Sequence, residues 1–367
     1  MNRAVLNTPD PASVPAPSDT LAFHRALPGY EATPLVRAAG LAGDLGLDDV
    51  FIKDESSRFG LPAFKFLGAS WAIAQMLGGS SDLGELRAAA EAQGIRRLTT
   101  ATDGNHGRAV ARMAAMLGLG STIYMPAFTA QARRDAIAGE GAEVVVVDDE
   151  YDAAVEASIR DADADPTARA VNDADLTGTS PVGEWVIQGY GTLFAEAADA
   201  LAAAGASVDL VVLQLGVGAF ASSGIRWAIA RGIPAVGAEP AGAACVAASV
   251  EAGRPLTIEG SRTTMACLDA GTPSAAGWRT LIGGLSGVVV LDDPESDAAA
   301  RRLAALGIES GESGAAGTAG LIALATEDAC GALREQLRFG DIRSVLVVNT
   351  EGATDPERYR TIVLPGR

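Results

Sequence analysis

From about residue 94 to residue 348 the chain alternates short β-rich runs with longer stretches whose apolar positions recur at helical spacing. "LTTAT" (98–102) precedes "NHGRAVARMAAMLG", "STIYM" precedes "TAQARRDAIAGEG", and "AEVVVV" precedes "YDAAVEASIRDA". Farther on, "VDLVVLQ" (208–214) leads into "GAFASSGIRWAIARG" and then "PAVGAEP". "SGVVVL" (286–291) leads into "ESDAAARRLAALG", and "IRSVLVV" (342–348) closes the series. These runs are Val-rich and continuous, the pattern of strands covered on both faces. Strands separated by helices predict βαβ units, right-handed crossovers and an α/β fold with a mostly parallel sheet. "DADADP" (161–166) reads as an acidic loop, and a boundary between two α/β layers is expected near it.

Composition narrows the function. The 367 residues are 48% apolar, enough for one large domain or two intimate ones. Twenty-eight basic against 46 acidic side chains give a net charge of −18 with no basic stripe, so neither nucleic acid nor an anionic membrane is expected as a partner. The opening "MNRAVLNTPDPASVPAPSDT" has no apolar core of signal-peptide length and reads as a Pro-rich, partly disordered leader. No apolar run approaches the roughly 20 residues that span a bilayer. Cys245, Cys267 and Cys330 are far apart and odd in number, so neither a disulfide framework nor a metal set is expected, and the location expected is cytoplasmic. With His24 and His106 as the two histidines, zinc and haem chemistry have little to work with. Organic cofactor chemistry remains, or none.

In open α/β sheets ligands bind where strand-to-helix loops converge, beyond the carboxyl ends of strands. "QLGVGAFASSG" (214–224) follows a strand and opens a helix, and its small residues let backbone N–H groups crowd an anion. A dinucleotide fingerprint would need glycine where Ala221 stands, and Glu239 lies in the wrong context for a ribose. The turn suits a phosphate, or close packing alone. In "TATDGNHGRAVA" (100–111) Asp103 and Asn105 read as turn and N-cap residues or as groups facing a ligand. "ESGESGAAGTAGL" and "VVNTEGATD" are two further turns, and Thr350 or Asn349 could bond a ligand there or close the turn.

The chain holds two lysines, Lys53 and Lys65, while the other 26 basic residues are arginines. Arginine does not release its proton and attack a carbonyl, so a retained lysine is a candidate imine former. Lys65 lies between Phe64 and Phe66, whose apolar surface is expected to lower its pKa. Lys53 ends "VFIK" beside Asp54 and Glu55 and reads as an ion pair at a strand end.

Taken together, the loops resemble the fold-type II pyridoxal-phosphate enzymes, the tryptophan-synthase-β and threonine-dehydratase superfamily. Within it, "KDESSRFGLPAFKFLGAS", "TATDGNHGRAVA", "IYMPAFTAQARRDAI", "VIQGYGTL", "QLGVGAFA", "SGESGA" and "NTEG" are in order similar to the diaminopropionate ammonia-lyase family, from about residue 30 to 360. The resemblance implies two three-layer α/β domains with twisted, mostly parallel sheets. Residues 21–84 and 185–367 would form the large cofactor-binding domain and 85–184 the small one, behind a flexible leader of residues 1–20. It implies pyridoxal 5'-phosphate as cofactor, with Lys65 forming the Schiff base and Asn105 on the cofactor's phenolic oxygen. Gly216, Val217, Gly218, Ala219 and Phe220 would cradle the phosphate by their backbone, and Thr350, or Asn349 in its place, would lie near the pyridine nitrogen. Asp103 would be a second acid/base on the face opposite Lys65, and Asp173 of "VNDADL" matches an active-site aspartate.

The activity implied is elimination of ammonia from D- or L-2,3-diaminopropionate to give pyruvate, by a homodimer acting on a small amino acid. The alternative is a related β-elimination or β-replacement enzyme acting on a different amino acid. Departures from the family pattern fall on the substrate side: Pro62 before "AFK", the segment 174–183 and Ala353.

Overall fold

The computed structural model describes residues 3–102, 104–148, 151–173, 178–259 and 262–364. Its strands are β1 (Arg3–Leu6), β2 (Leu35–Arg37), β3 (Asp49–Asp54), β4 (Arg97–Ala101), β5 (Gly120–Pro126), β6 (Glu143–Val147), β7 (Ala168–Ala170), β8 (Leu210–Gln214), β9 (Ala235–Pro240), β10 (Leu285–Leu291) and β11 (Ser344–Asn349). One seven-stranded sheet has the order β1-β10-β9-β8-β11-β3-β2, and a four-stranded sheet has the order β6-β5-β4-β7. Pairing is parallel throughout the smaller sheet and among β10, β9, β8, β11 and β3. The edge strands β1 and β2 pair antiparallel.

Why the strands read as unbroken apolar runs is visible in where alternate residues go. Val211, Leu213, Val288, Val290, Leu346 and Val348 enter one core. Their neighbours Leu210, Val212, Val289, Leu291, Val345 and Val347 enter another on the opposite face. With side chains alternating sides, a strand covered twice has no solvent-facing position to make polar. Helices cover both faces, giving a layered α/β architecture.

The helix Phe66–Met76, which begins one residue after Lys65, lies against the helix Val182–Gly189. Their approach depends on glycine. A Cβ on Gly68 would stand 2.6 Å from the Tyr190 ring, and one on Gly189 would stand 2.4 Å from Leu67 O. Side chains at either place would push the lysine-bearing helix off its seat.

Two expectations are corrected. The leader is in part a strand: β1 pairs with β10 through Arg3↔Val290 to Leu6↔Gly287. Asn7 Nδ2 anchors its end on Ile282 O (2.8 Å) and Leu285 O (2.7 Å). The Pro-rich composition of the segment outweighed the short "RAVL" run, too brief for a periodic signal. "DADADP" is no loop, since the helix Tyr151–Ala164 runs through its first four residues. Asp161 and Asp165 pair with Arg97 at 2.6 and 3.1 Å, so the acidic cluster is held by a cation on β4 that local sequence does not reveal.

Candidate active site

The carboxyl ends of the parallel strands converge on one cleft of about 810 Å³. Lys65, Asn105, Asp173 and Thr350 line it, together with the turn from Gly216 to Phe220. Asp103 lies outside the described residues, as do residues 174–177 of the divergent segment.

Lys65 Nζ donates to Asp173 Oδ2 at 2.6 Å and stands 5.7 Å from the centre of the Phe64 ring. The expectation of a lowered pKa is overturned. Burial, the largest influence, does lower it, but the carboxylate of Asp173, with Tyr190 and Cys267, outweighs burial and raises the ammonium above its ordinary range. Phe64 and Phe66 showed only the apolar half of the surroundings, because Asp173 arrives from 108 residues away. Asp173 answers in kind: burial opposes its ionisation, while the His106 ring and the Lys65 ammonium hold its carboxyl below the usual range. Burial lowers His106, whose Nε2–H donates to Val171 O at 2.7 Å with Nδ1 3.8 Å from Asp173.

The turn after β8 is shaped for an anion. Gly218 starts the helix Ala219–Ile229 in the left-handed region (φ 90°), and no side chain caps that helix. A Cβ on Gly218 would lie 2.5 Å from Leu281 Cδ1, and one on Gly216 3.1 Å from Leu268 Cα. The N-terminal N–H groups are thus left to a ligand, with the helix dipole behind them.

At the opposite wall Thr350 Oγ1 lies 3.5 Å from Ser313 O and 3.3 Å from Gln214 Nε2. The amide of Asn349, the alternative to Thr350, donates to Asp54 Oδ1 (2.8 Å) and Glu309 O (2.9 Å), outside the cleft lining. Gln214 also donates to Gly314 O (2.8 Å) and Val348 O (2.7 Å), tying β8, β11 and the helix Glu312–Thr326 together behind the site. Its signal in the sequence was a polar residue ending a buried strand. Asn105 Nδ2 donates to Glu351 and to Cys267 Sγ (3.3 Å). Ser313 Oγ accepts from Cys267 N (3.1 Å). Cys267, Ser313 and Glu351 all line the cleft, and reading single motifs assigned none of them a role.

The donor set fits a phosphate-bearing aldehyde with a ring nitrogen. It provides a primary amine for the carbonyl, a glycine cradle for the phosphate and a neutral hydroxyl at the far wall. Gln214 Oε1 there is buried without a partner. Fold and site define a fold-type II enzyme dependent on pyridoxal phosphate.

Comparison with known proteins agrees. Residues 26–350 match the pyridoxal-phosphate dependent enzyme family. The diaminopropionate ammonia-lyase of Escherichia coli (strain K12) is 36% identical over 363 residues, covering 94% of this chain and 90% of that protein. The Escherichia coli enzyme in complex with D-serine superposes with a TM-score of 0.89 at 33% identity, covering 100% of this chain and 98% of that one. The same enzyme with an aminoacrylate-PLP azomethine reaction intermediate gives 0.87 at 32% identity, with the same coverage. The chain belongs to the diaminopropionate ammonia-lyase family of pyridoxal-phosphate-dependent enzymes.

Proposed function

We propose that the protein eliminates ammonia from D- or L-2,3-diaminopropionate, releasing pyruvate and, after hydrolysis, a second ammonia. The observation that carries this reading is the meeting of a lysine amine, a paired carboxylate and an uncapped glycine turn on one cleft. Bound pyridoxal phosphate supplies an electron sink that eases the breaking of the substrate's Cα–H bond.

The chain's own residues supply position and protons. Lys65 would hold the cofactor covalently, Gly216 to Phe220 its phosphate, Thr350 its ring nitrogen and Asn105 its phenolic oxygen. The Lys65 amine serves as base toward one face of the substrate. Asp103, outside the described residues, serves as the second acid/base toward the other. Asp173, 2.6 Å from Nζ, positions the Lys65 nitrogen and, as a carboxylate, favours its protonated form, so that the proton Lys65 takes from the substrate is at hand for the departing β-amine.

The same reading divides the chain into a large unit (21–84 and 185–367) and a small one (85–184). The second is supported by the separate four-stranded sheet formed by β4 to β7. It also makes the protein cytoplasmic and a homodimer; light scattering of the purified protein checks the dimer, and fractionation of cells the location. No helix among the described residues is long and apolar enough to cross a membrane.

The test is direct. Cofactor-loaded protein should release two equivalents of ammonia for each pyruvate formed from 2,3-diaminopropionate without a second nucleophile. Dependence on an added nucleophile would favour a β-replacement enzyme. Absence of pyruvate from both enantiomers would defeat the proposal. Asp103→Asn should cost the D substrate far more rate than the L substrate, and equal losses would dismiss the two-base arrangement.

A further inference from the structure

We infer that Glu351 selects the substrate by binding its β-ammonium group, an inference that rests on the diaminopropionate reading above. 2,3-Diaminopropionate and serine differ at one position, where the first carries an ammonium and the second a hydroxyl. A site that prefers the ammonium must offer it an anion out of competition with water. Asp173 is committed to Lys65 at 2.6 Å.

Glu351 is placed otherwise. It follows Thr350 on the turn after β11, is 1% exposed and lines the cleft. Its Oε2 accepts from Asn105 Nδ2, lies 3.3 Å from Cys267 Sγ and 3.4 Å from Thr354 Oγ1. All three donors are neutral. Arg133 reaches the same turn, but its Nη2 donates to Thr354 Oγ1 at 3.2 Å. Among the described residues no cation forms an ion pair with Glu351, and its Oε1 is buried without a hydrogen-bond partner. Gly311 makes room for that oxygen, since a Cβ there would stand 2.8 Å from it. A buried carboxylate given only neutral donors is incompletely compensated. A substrate ammonium entering between Asn105 and Cys267 meets Oε2 and brings the carboxylate the countercharge that its neutral donors do not, whereas a hydroxyl brings none.

The experiment compares 2,3-diaminopropionate with serine of the same hand, serine being measured as substrate or, where turnover is slow, as competitive inhibitor. Visible absorbance and circular dichroism report cofactor loading and fold. Glu351→Gln should lower kcat/KM for 2,3-diaminopropionate by about 100-fold while the serine constant stays within about threefold. If Glu351→Gln does not fold, Glu351→Asp keeps the charge and withdraws it by one methylene, and the ratio should fall by about tenfold. A ratio that does not move in the folded variant overturns the inference, because Glu351 then serves only to hold Asn105. Wild-type protein that leaves 2,3-diaminopropionate untouched overturns the functional reading and this inference with it. Wild-type turnover with an unmoved ratio overturns this inference alone.

Discussion

Lys53 and Lys65 stand close in sequence and both meet carboxylates, but Lys53 is buried and closes a network while Lys65 is part-exposed and opens a site. Lys53 Nζ is 2.7 Å from Glu196 Oε2 and 2.6 Å from Thr33 O. Arg58 bridges Glu55 (2.6 Å) and Glu196 (2.7 Å), and Tyr30 Oη donates to Glu196 at 2.9 Å. Two cations face two carboxylates with every side chain at most 2% exposed, so charge and hydrogen bonds balance. Around Lys65 the balance is incomplete: His106 Nδ1, Tyr190 Oη, Gln214 Oε1 and Glu351 Oε1 are buried without hydrogen-bond partners. Burial of charge does not mark a working site here, and neither does a lone unpartnered atom, since Trp227 Nε1 and Thr318 Oγ1 are unpartnered elsewhere; several such atoms gathered about one lysine do.

The comparison breaks most sharply at Lys65. Lys65→Ala should reduce pyruvate formation by about 10⁴-fold or more, with a smaller stability loss than a break in the Lys53 network, because Asp173 at the cleft can take up a proton when its cation is removed. Borohydride should then fix no cofactor to the chain. Glu196→Ala should do the reverse. It strands Lys53 and part of Arg58 without their carboxylate, at a cost of about 3–5 kcal/mol in denaturant unfolding, with turnover per folded molecule within about threefold of wild type. If Glu196→Ala removed turnover and spared stability, the division between the two lysines would be void.

How much of this was open to reading from sequence follows the same division. Strand runs announced themselves because a doubly covered strand is apolar at nearly every position, as Leu210 to Leu213 and Val288 to Leu291 are. Lys65 and the glycine turn were visible because their chemistry needs particular residue types. Thr350 and Asn349 could not be told apart until the structure turned Asn349 toward Asp54. Partners across long separations left no local trace. Glu196 meets Lys53 from 143 residues away, and Glu351 meets Asn105 from 246. The raised Lys65 pKa is invisible locally for this reason: its partner Asp173 lies 108 residues away.

Acid sharpens the contrast from the stability side. His24 is buried in the network that seats the lysine-bearing helix, with Nε2 3.0 Å from Leu67 O and Nδ1 2.6 Å from Thr192 Oγ1. Burial holds it down to about 3, against 6.5. Between those values the unfolded chain binds a proton that the folded chain refuses, so stability falls as pH drops from 6.5. The slope is about 1.4 kcal/mol per pH unit, reaching about 2 kcal/mol by pH 5. Burial works against ionisation of Glu196 too, but Arg58 and Lys53 prevail and hold it at about 2 against 4.5, so its loss begins only below that upper value. Buried His106 adds to this loss and buried Glu239, raised to about 8, opposes it, so wild type and His24→Gln should be compared: the variant's stability should change between pH 7 and pH 5 by about 2 kcal/mol less in the destabilising direction. An equal pH response in the two proteins would assign the acid effect elsewhere.

The smallest effect concerns the lysine that does no chemistry. Lys53→Arg keeps the charge but replaces a compact ammonium with a planar guanidinium. The space is bounded by Glu196 Oε2, Thr33 O and Glu55 Oε1, the last 3.8 Å from Nζ, with the Arg58 guanidinium already bound to both carboxylates. A second guanidinium has to share those oxygens and crowd the strand end, which should cost about 1–3 kcal/mol through overpacking. Activity of the folded variant should be unchanged. Stability equal to wild type would mean that the network accepts either cation, and the retention of Lys53 in an arginine-rich chain would then have no basis in its fit.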